Sequence, residues 1–109
     1  MKERLLMEKG MKIFDSERKI MEELWDRGEL RASELVQILH DKTGWNRNTT
    51  YTIIKKCVEK GAIKRIEPKF MCRAMVSREE VQYYDTKELL QNLFQGDKAA
   101  LQQFIEENF

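Results

Sequence analysis

Between Asn46 and Ile66 the chain reads NRNTTYTIIKKCVEKGAIKRI. Thr50, Ile53, Ile54, Cys57 and Val58 recur at i, i+3, i+4, i+7 and i+8, which places them on one face of an α-helix. Gly61 stops that helix, and Asn46 is placed to cap its start, with Asn48 as the competing cap. The opposite face carries Asn48, Thr49, Tyr51, Thr52, Lys55, Lys56 and Glu59. Thr, Asn and Tyr are mediocre helix formers, and a helix built only for stability would carry Glu, Lys, Ala or Gln there. Short and medium polar side chains together with Lys are what base edges and phosphates require. The pattern predicts a helix with one face in the core and the other reading a groove.

The segments before it read as two further helices. Asp15 or Ser16 is placed to cap a helix running to about Arg27, with Ile20, Met21, Leu24 and Trp25 on one face and Gly28 at its end. Leu30, Arg31 and Ala32 form a brief strand. Ser33 then caps a helix to Asp41 or Lys42 with Leu35, Val36, Ile38 and Leu39 inward, and Thr43-Gly44 makes a turn. Beyond the basic helix, residues 62–67 and 70–76 read as two strands joined at Pro68. Phe70, Cys72, Ala74 and Val76 alternate with Met71, Arg73 and Met75. This β-hairpin has Lys64, Arg65, Lys69 and Arg73 near its tip.

At Ser77 the character changes. Ser77 and Glu80 match a capping box for a helix from Arg78 to about Phe94. Gly96 breaks it, and Asp97 caps a last helix through Asn108. Val81, Tyr84, Leu89, Leu90, Leu93, Phe94, Leu101, Phe104 and Ile105 are too many large apolar groups for two short helices trailing from a finished domain. They fold back on the core or pair with a second copy, and the second reading is favoured because an exposed apolar patch of this kind marks an interface. The expected layout is a domain over residues 1–76, with 1–12 an unassigned lead-in, and a helical region over 77–109.

The chain of 109 residues has a near-neutral formal charge of +1, which hides an uneven distribution. Residues 46–76 hold eight basic and two acidic side chains, a net of +6; residues 77–109 hold three and seven, a net of −4. A local basic block is the footprint of a polyanion-binding surface. Nothing in the sequence assembles a catalytic site. The adjacent carboxylates Glu22-Glu23, Glu79-Glu80 and Glu106-Glu107 diverge by about 100° on a helix, there is no Gly-rich phosphate loop, and His40 is the only histidine. Cys57 and Cys72 have neither metal nor redox spacing and read as core residues. No enzyme activity, metal or cofactor is expected. No apolar run approaches a membrane span of about 20 residues, and MKERLLMEKGMKIF lacks a signal-peptide pattern, so a cytoplasmic location is expected.

Three helices, a hairpin and a basic third helix make a winged helix-turn-helix, and here the sequence resembles the penicillinase-repressor family. The resemblance rests on SERKIMEELWDRGELRASELVQIL, on TGWNRNTTYTIIKKCVEKGAI, and on VSREEV and LLQNLFQG in the tail. It includes the Leu-Trp-Asp-x-Gly element, Trp45 before the third helix and the Lys-Gly-Ala-Ile exit, and it runs from about Phe14 to about Asn108. It implies a mainly α fold with a small β-hairpin, followed by C-terminal dimerisation helices. It also implies a homodimeric transcriptional repressor on a dyad-symmetric double-stranded DNA operator, one recognition helix per major groove and the wing near the backbone. Carried over by position, Asn48, Thr49, Tyr51 and Thr52 are the base readers, with Asn46 at the head of the helix, while Arg47, Lys55, Arg65, Lys69 and Arg73 hold phosphates. Tyr84, Leu89, Leu90, Leu93, Phe94, Leu101, Phe104 and Ile105 form the dimer face, while Trp25 and Trp45 are core or staple residues.

The chain also departs from the family. Resistance repressors continue into further C-terminal helix, whereas this sequence ends at Phe109, so a smaller or weaker dimer is expected. The resemblance brings a regulatory protease that cuts an Asn-Phe bond, but the corresponding pair is Gln103-Phe104; the Asn108-Phe109 bond would release one residue. Copper-responsive relatives carry a C-terminal Cys-x-Cys cluster that is missing here, so metal sensing is not expected. The competing reading is a winged-helix protein-interaction module. The basic block argues against it, and Tyr51 is the one residue on the third helix that leans towards it.

Overall fold

The computed structural model describes residues 10–109; the expected lead-in at residues 1–12 therefore lies mostly outside the described residues. Two compact units are present. The larger is Ile13–Arg78, and Glu79–Phe109 falls in the smaller.

In the larger unit, α1 (Asp15–Arg27), β1 (Leu30–Arg31), α2 (Ala32–Thr43), α3 (Arg47–Glu59), β2 (Ile63–Ile66) and β3 (Met71–Ala74) follow in order. The strands form one antiparallel sheet in the order β1-β3-β2. Leu30 pairs with Cys72, and β2 pairs with β3 through Ile63–Ala74, Lys64–Arg73, Arg65–Cys72 and Ile66–Met71. Ile20, Met21 and Leu24 from α1, Leu35 and Leu39 from α2, and Ile53, Ile54 and Cys57 from α3 meet over Ile63, Cys72 and Val76. Each fully buried Ile or Leu contributes about 1.5–3 kcal/mol by leaving water, so the three stripes hold the unit together. This is a winged helix-turn-helix: α2 and α3 are the helix pair, and β2 and β3 the wing.

Two helices start earlier than expected, for one reason. A glutamate at the third helical position reaches back to the amide ahead of the helix. The Phe14 N–H donates to Glu17 Oε1 at 2.9 Å, and the Arg31 N–H donates to Glu34 Oε1 at 3.0 Å. Phe14 and Arg31, rather than Asp15 or Ser16 and Ser33, are therefore the cap positions.

Carboxylates also enter the core region. Glu17 is 4% exposed and accepts a second hydrogen bond from Lys60 Nζ at 2.7 Å, tying α1 to the end of α3. Glu23 is 6% exposed and accepts from Arg27 Nε at 2.9 Å and Lys42 Nζ at 2.8 Å, tying α1 to α2. Burial pushes the Glu23 carboxyl up, but the hydrogen bonds and positive charge of Lys42 and Arg27 outweigh it and hold the group below its ordinary value of 4.5. The Trp25 indole N–H donates to the Val76 carbonyl at 2.9 Å, and Arg78 lies over the Trp25 ring at 5.3 Å while pairing with Asp26 at 2.7 Å. Trp25 thus staples the end of the sheet to α1. Cys57 and Cys72 are free and fully buried, and burial pushes their thiols to about 12 and about 11.

In the smaller unit α4 (Arg78–Phe94) and α5 (Lys98–Asn108) are joined at Gln95-Gly96. Asp97 caps α5 by accepting from the Ala100 N–H at 3.1 Å. No residue of α5 is buried.

Candidate nucleic-acid interface

The turn before α3 is set by a short chain of hydrogen bonds. Gly44 ends α2 at φ +80°, a left-handed conformation suited to glycine, and its N–H donates to the His40 carbonyl at 2.9 Å. Thr43 Oγ1 donates to the Leu39 carbonyl at 2.6 Å and accepts from the Trp45 N–H at 3.1 Å. His40 Nδ1 lies 3.2 Å from the Trp45 carbonyl, a contact that needs a proton on Nδ1 because the carbonyl only accepts. Asn46 then caps α3, its side-chain oxygen accepting from the Thr49 N–H at 2.8 Å. Three residues between α2 and α3 are enough because every step of the turn is bonded.

Burial of Thr50, Ile53, Ile54 and Cys57 fixes the rotation of α3 about its axis. Asn46, Arg47, Asn48, Thr49, Thr52, Lys55 and Lys56 are exposed as a result, while Tyr51 is half-buried. The Tyr51 ring packs against Phe70 at 5.9 Å between centroids, and Arg47 lies 5.2 Å from its centre. A shallow polar concavity is lined by Ser16, Asn46, Asn48, Thr49, Thr52, Ile53 and Lys56. Ser16 and Lys56 were absent from the expected contacts. Lys56 lay on the right face of the helix, whereas nothing local in the sequence brings Ser16 of α1 to α3.

The sheet register divides the wing's basic residues between two faces. Cross-strand partners share a face, so Arg65 lies with Cys72 and, two residues on, with buried Ile63, while Lys64 and Arg73 share the other face. Arg65 stacks on Phe70, its guanidinium carbon 3.7 Å from the ring centre, and its Nε donates to Glu67 at 2.6 Å. Arg73 is ion-paired with Glu29. Lys69 is exposed at the tip. The structure thus lines up Arg47, Tyr51, Phe70 and Arg65 in that order and puts Arg73 on the far face of the hairpin. The basic block is also less free than its net charge implies, since Lys60, Arg65 and Arg73 each hold a carboxylate of this chain. Lys55, Lys56, Lys64 and Lys69 form no ion pair among the described residues.

In the smaller unit, Leu89, Leu93, Phe104 and Ile105 are 42%, 67%, 48% and 47% exposed, and Tyr84, Leu90, Phe94 and Leu101 are half-buried. The Phe94 and Phe104 rings meet edge to face at 5.6 Å between centroids. None of the eight is buried within the chain. Gln103-Phe104 lies inside α5.

Among the described residues there is no group of three metal-ligating side chains, and no helix is long and apolar enough to cross a membrane. In comparisons with known proteins, the family described as penicillinase repressor matches residues 13–108. No curated protein matches the chain.

Proposed function

The chain belongs to the penicillinase repressor family, a family of DNA-binding transcriptional regulators rather than enzymes, and on that premise we propose that it acts as a homodimer on a dyad-symmetric operator. Each copy lays α3 in a major groove, with Asn48, Thr49, Tyr51 and Thr52 at the base edges and Asn46 at the head of the helix. Arg47, Lys55, Arg65 and Lys69 meet phosphates. Arg73, on the other face of the hairpin and paired with Glu29, is the outlying member of this set. The helices α4 and α5 supply the isologous dimer face through Leu89, Leu93, Phe104 and Ile105, with Tyr84, Leu90, Phe94 and Leu101 beneath.

The observation that carries this reading is the outward face of α3. Its side chains are short, polar or basic and are held outward by a fully packed inner stripe. A protein-contact module would offer a free aromatic there, whereas Tyr51 is already packed on Phe70.

The test is binding to the DNA upstream of the chain's own coding sequence, against random duplex competitor at a stated salt concentration. Preference for the upstream duplex by a factor of about 10³ or more is expected of a specific repressor. Equal, weak binding to both would overturn it in favour of a protein-contact module.

A further inference from the structure

Phe70 is a bulky residue in a backbone conformation that bulky residues avoid. Its φ is +48°, in the left-handed region where a non-glycine residue is uncommon. It stands at the head of β3, and its carbonyl accepts from the Ala32 N–H at 2.9 Å, which fixes the hairpin to the start of α2. Such an outlier persists only where its surroundings determine it, and here the Phe70 ring is held by the Tyr51 ring and the Arg65 guanidinium.

Arg65 of the wing stacks on one side of the Phe70 ring at 3.7 Å. Tyr51 of α3 packs against the same ring, tilted by 53°. Arg47, one turn earlier on α3, covers Tyr51 at 5.2 Å. The four side chains run cation, ring, ring, cation from the first turn of α3 to the wing. A free arginine has many rotamers to lose when it grips a phosphate. Stacking on a ring restricts them before any DNA arrives, and the Arg65 hydrogen bond to Glu67 uses Nε, leaving the terminal nitrogens of the guanidinium.

We propose that Phe70 is a positioning residue through which Arg47 on α3 and Arg65 on the wing engage DNA phosphates as a coupled pair rather than as two independent contacts. The inference rests on the DNA-binding reading above and adds a prediction that reading does not make. Removing either arginine leaves the other less well placed, so the loss of both is smaller than the product of the separate losses. Phe70 itself touches no DNA.

The experiment is a double-mutant cycle on DNA affinity, read by fluorescence anisotropy at one fixed salt concentration. Arg47→Ala, Arg65→Ala and the double variant are compared in the parent, in Phe70→Leu and in Phe70→Tyr. Leu keeps the Cβ and hence the backbone demand of Phe70 but removes the ring, while Tyr keeps the ring. In the parent, the double variant is expected to bind about fivefold or more better than the product of the single losses predicts. In Phe70→Leu the discrepancy shrinks to within about twofold, and Phe70→Tyr restores it. A residue with a merely structural role would lower every affinity without changing the discrepancy. Losses that multiply in the parent overturn the proposal without any Phe70 variant, and so does a discrepancy that survives in Phe70→Leu. Tyr51→Leu, which interrupts the ladder one ring earlier, serves as a second interruption should Phe70→Leu fail to fold. Because phosphates are common to all duplexes, the cycle is run on random DNA as well. Coupling there, without preference for the upstream duplex, would sink the operator reading and sustain this one. Failure to bind either duplex would overturn both.

Discussion

Lys55 and Glu23 are charges with opposite work. Lys55 is exposed on α3 and has no ion pair among the described residues, so its charge is available to a polyanion. Lys55→Ala is expected to weaken binding about equally on all sequences and to reduce the slope of log affinity against log salt by about one unit. An unchanged slope would remove Lys55 from the phosphate contacts. Glu23 instead serves the fold, because its carboxylate joins α1 to α2 through Lys42. Its folded value lies below the ordinary 4.5, so its stabilisation is fully present above about that pH and is lost as the pH falls through the folded value. Glu23→Gln is expected to cost about 1–2 kcal/mol in urea unfolding at neutral pH, with the gap to the parent narrowing as the pH falls below 4.5. A gap of constant size across that range would mean that shape, not charge, is what Glu23 contributes. Neither Glu17 nor Glu23 is legible as buried from the sequence. Burial of a carboxylate depends on partners that are distant in the chain, Lys60 at 43 positions and Lys42 at 19, and an apolar stripe does not report them.

At the scale of elements, the helices were legible because two local signals agree: apolar residues at helical spacing, and glycine where the chain must leave the helix. Gly44 tests this. A Cβ there would meet nothing within 4 Å, so substitution is opposed only by the backbone at φ +80°. Gly44→Ala is expected to cost about 1 kcal/mol, or several degrees in melting temperature, with the α2–α3 turn otherwise intact. No loss at all would mean that the turn relaxes to another conformation. The sheet was less legible. The brief strand at Leu30 was anticipated, but its pairing with β3 is a long-range contact between two-residue partners that no local pattern encodes. The hairpin's basic residues looked equivalent in sequence because a basic residue fits either face of a wing. Only the register separates Arg65, turned towards Phe70, from Arg73, held by Glu29. Phe70 itself drew notice only as one position in an alternating strand, since nothing local announces a left-handed phenylalanine.

For the molecule as a whole, the proposed dimer is the term on which operator affinity depends, because linking two half-sites turns the second contact into an intramolecular one. Leu93, 67% exposed on α4, is the sharpest probe. Leu93→Asp is expected to give a monomer by sedimentation and to lower operator affinity by about 10²-fold or more, while leaving the Ile13–Arg78 unit folded. A monomer that still bound operator tightly would overturn the dimer reading. The helix α5 buries no residue within its own chain, and that has a consequence for dosage. If its apolar side is covered only by another copy, the amount of competent repressor at low abundance grows with the square of the number of chains. Halving synthesis would then relieve a promoter by much more than half, and a gene under such control would respond to its regulator's abundance as a threshold rather than a dial.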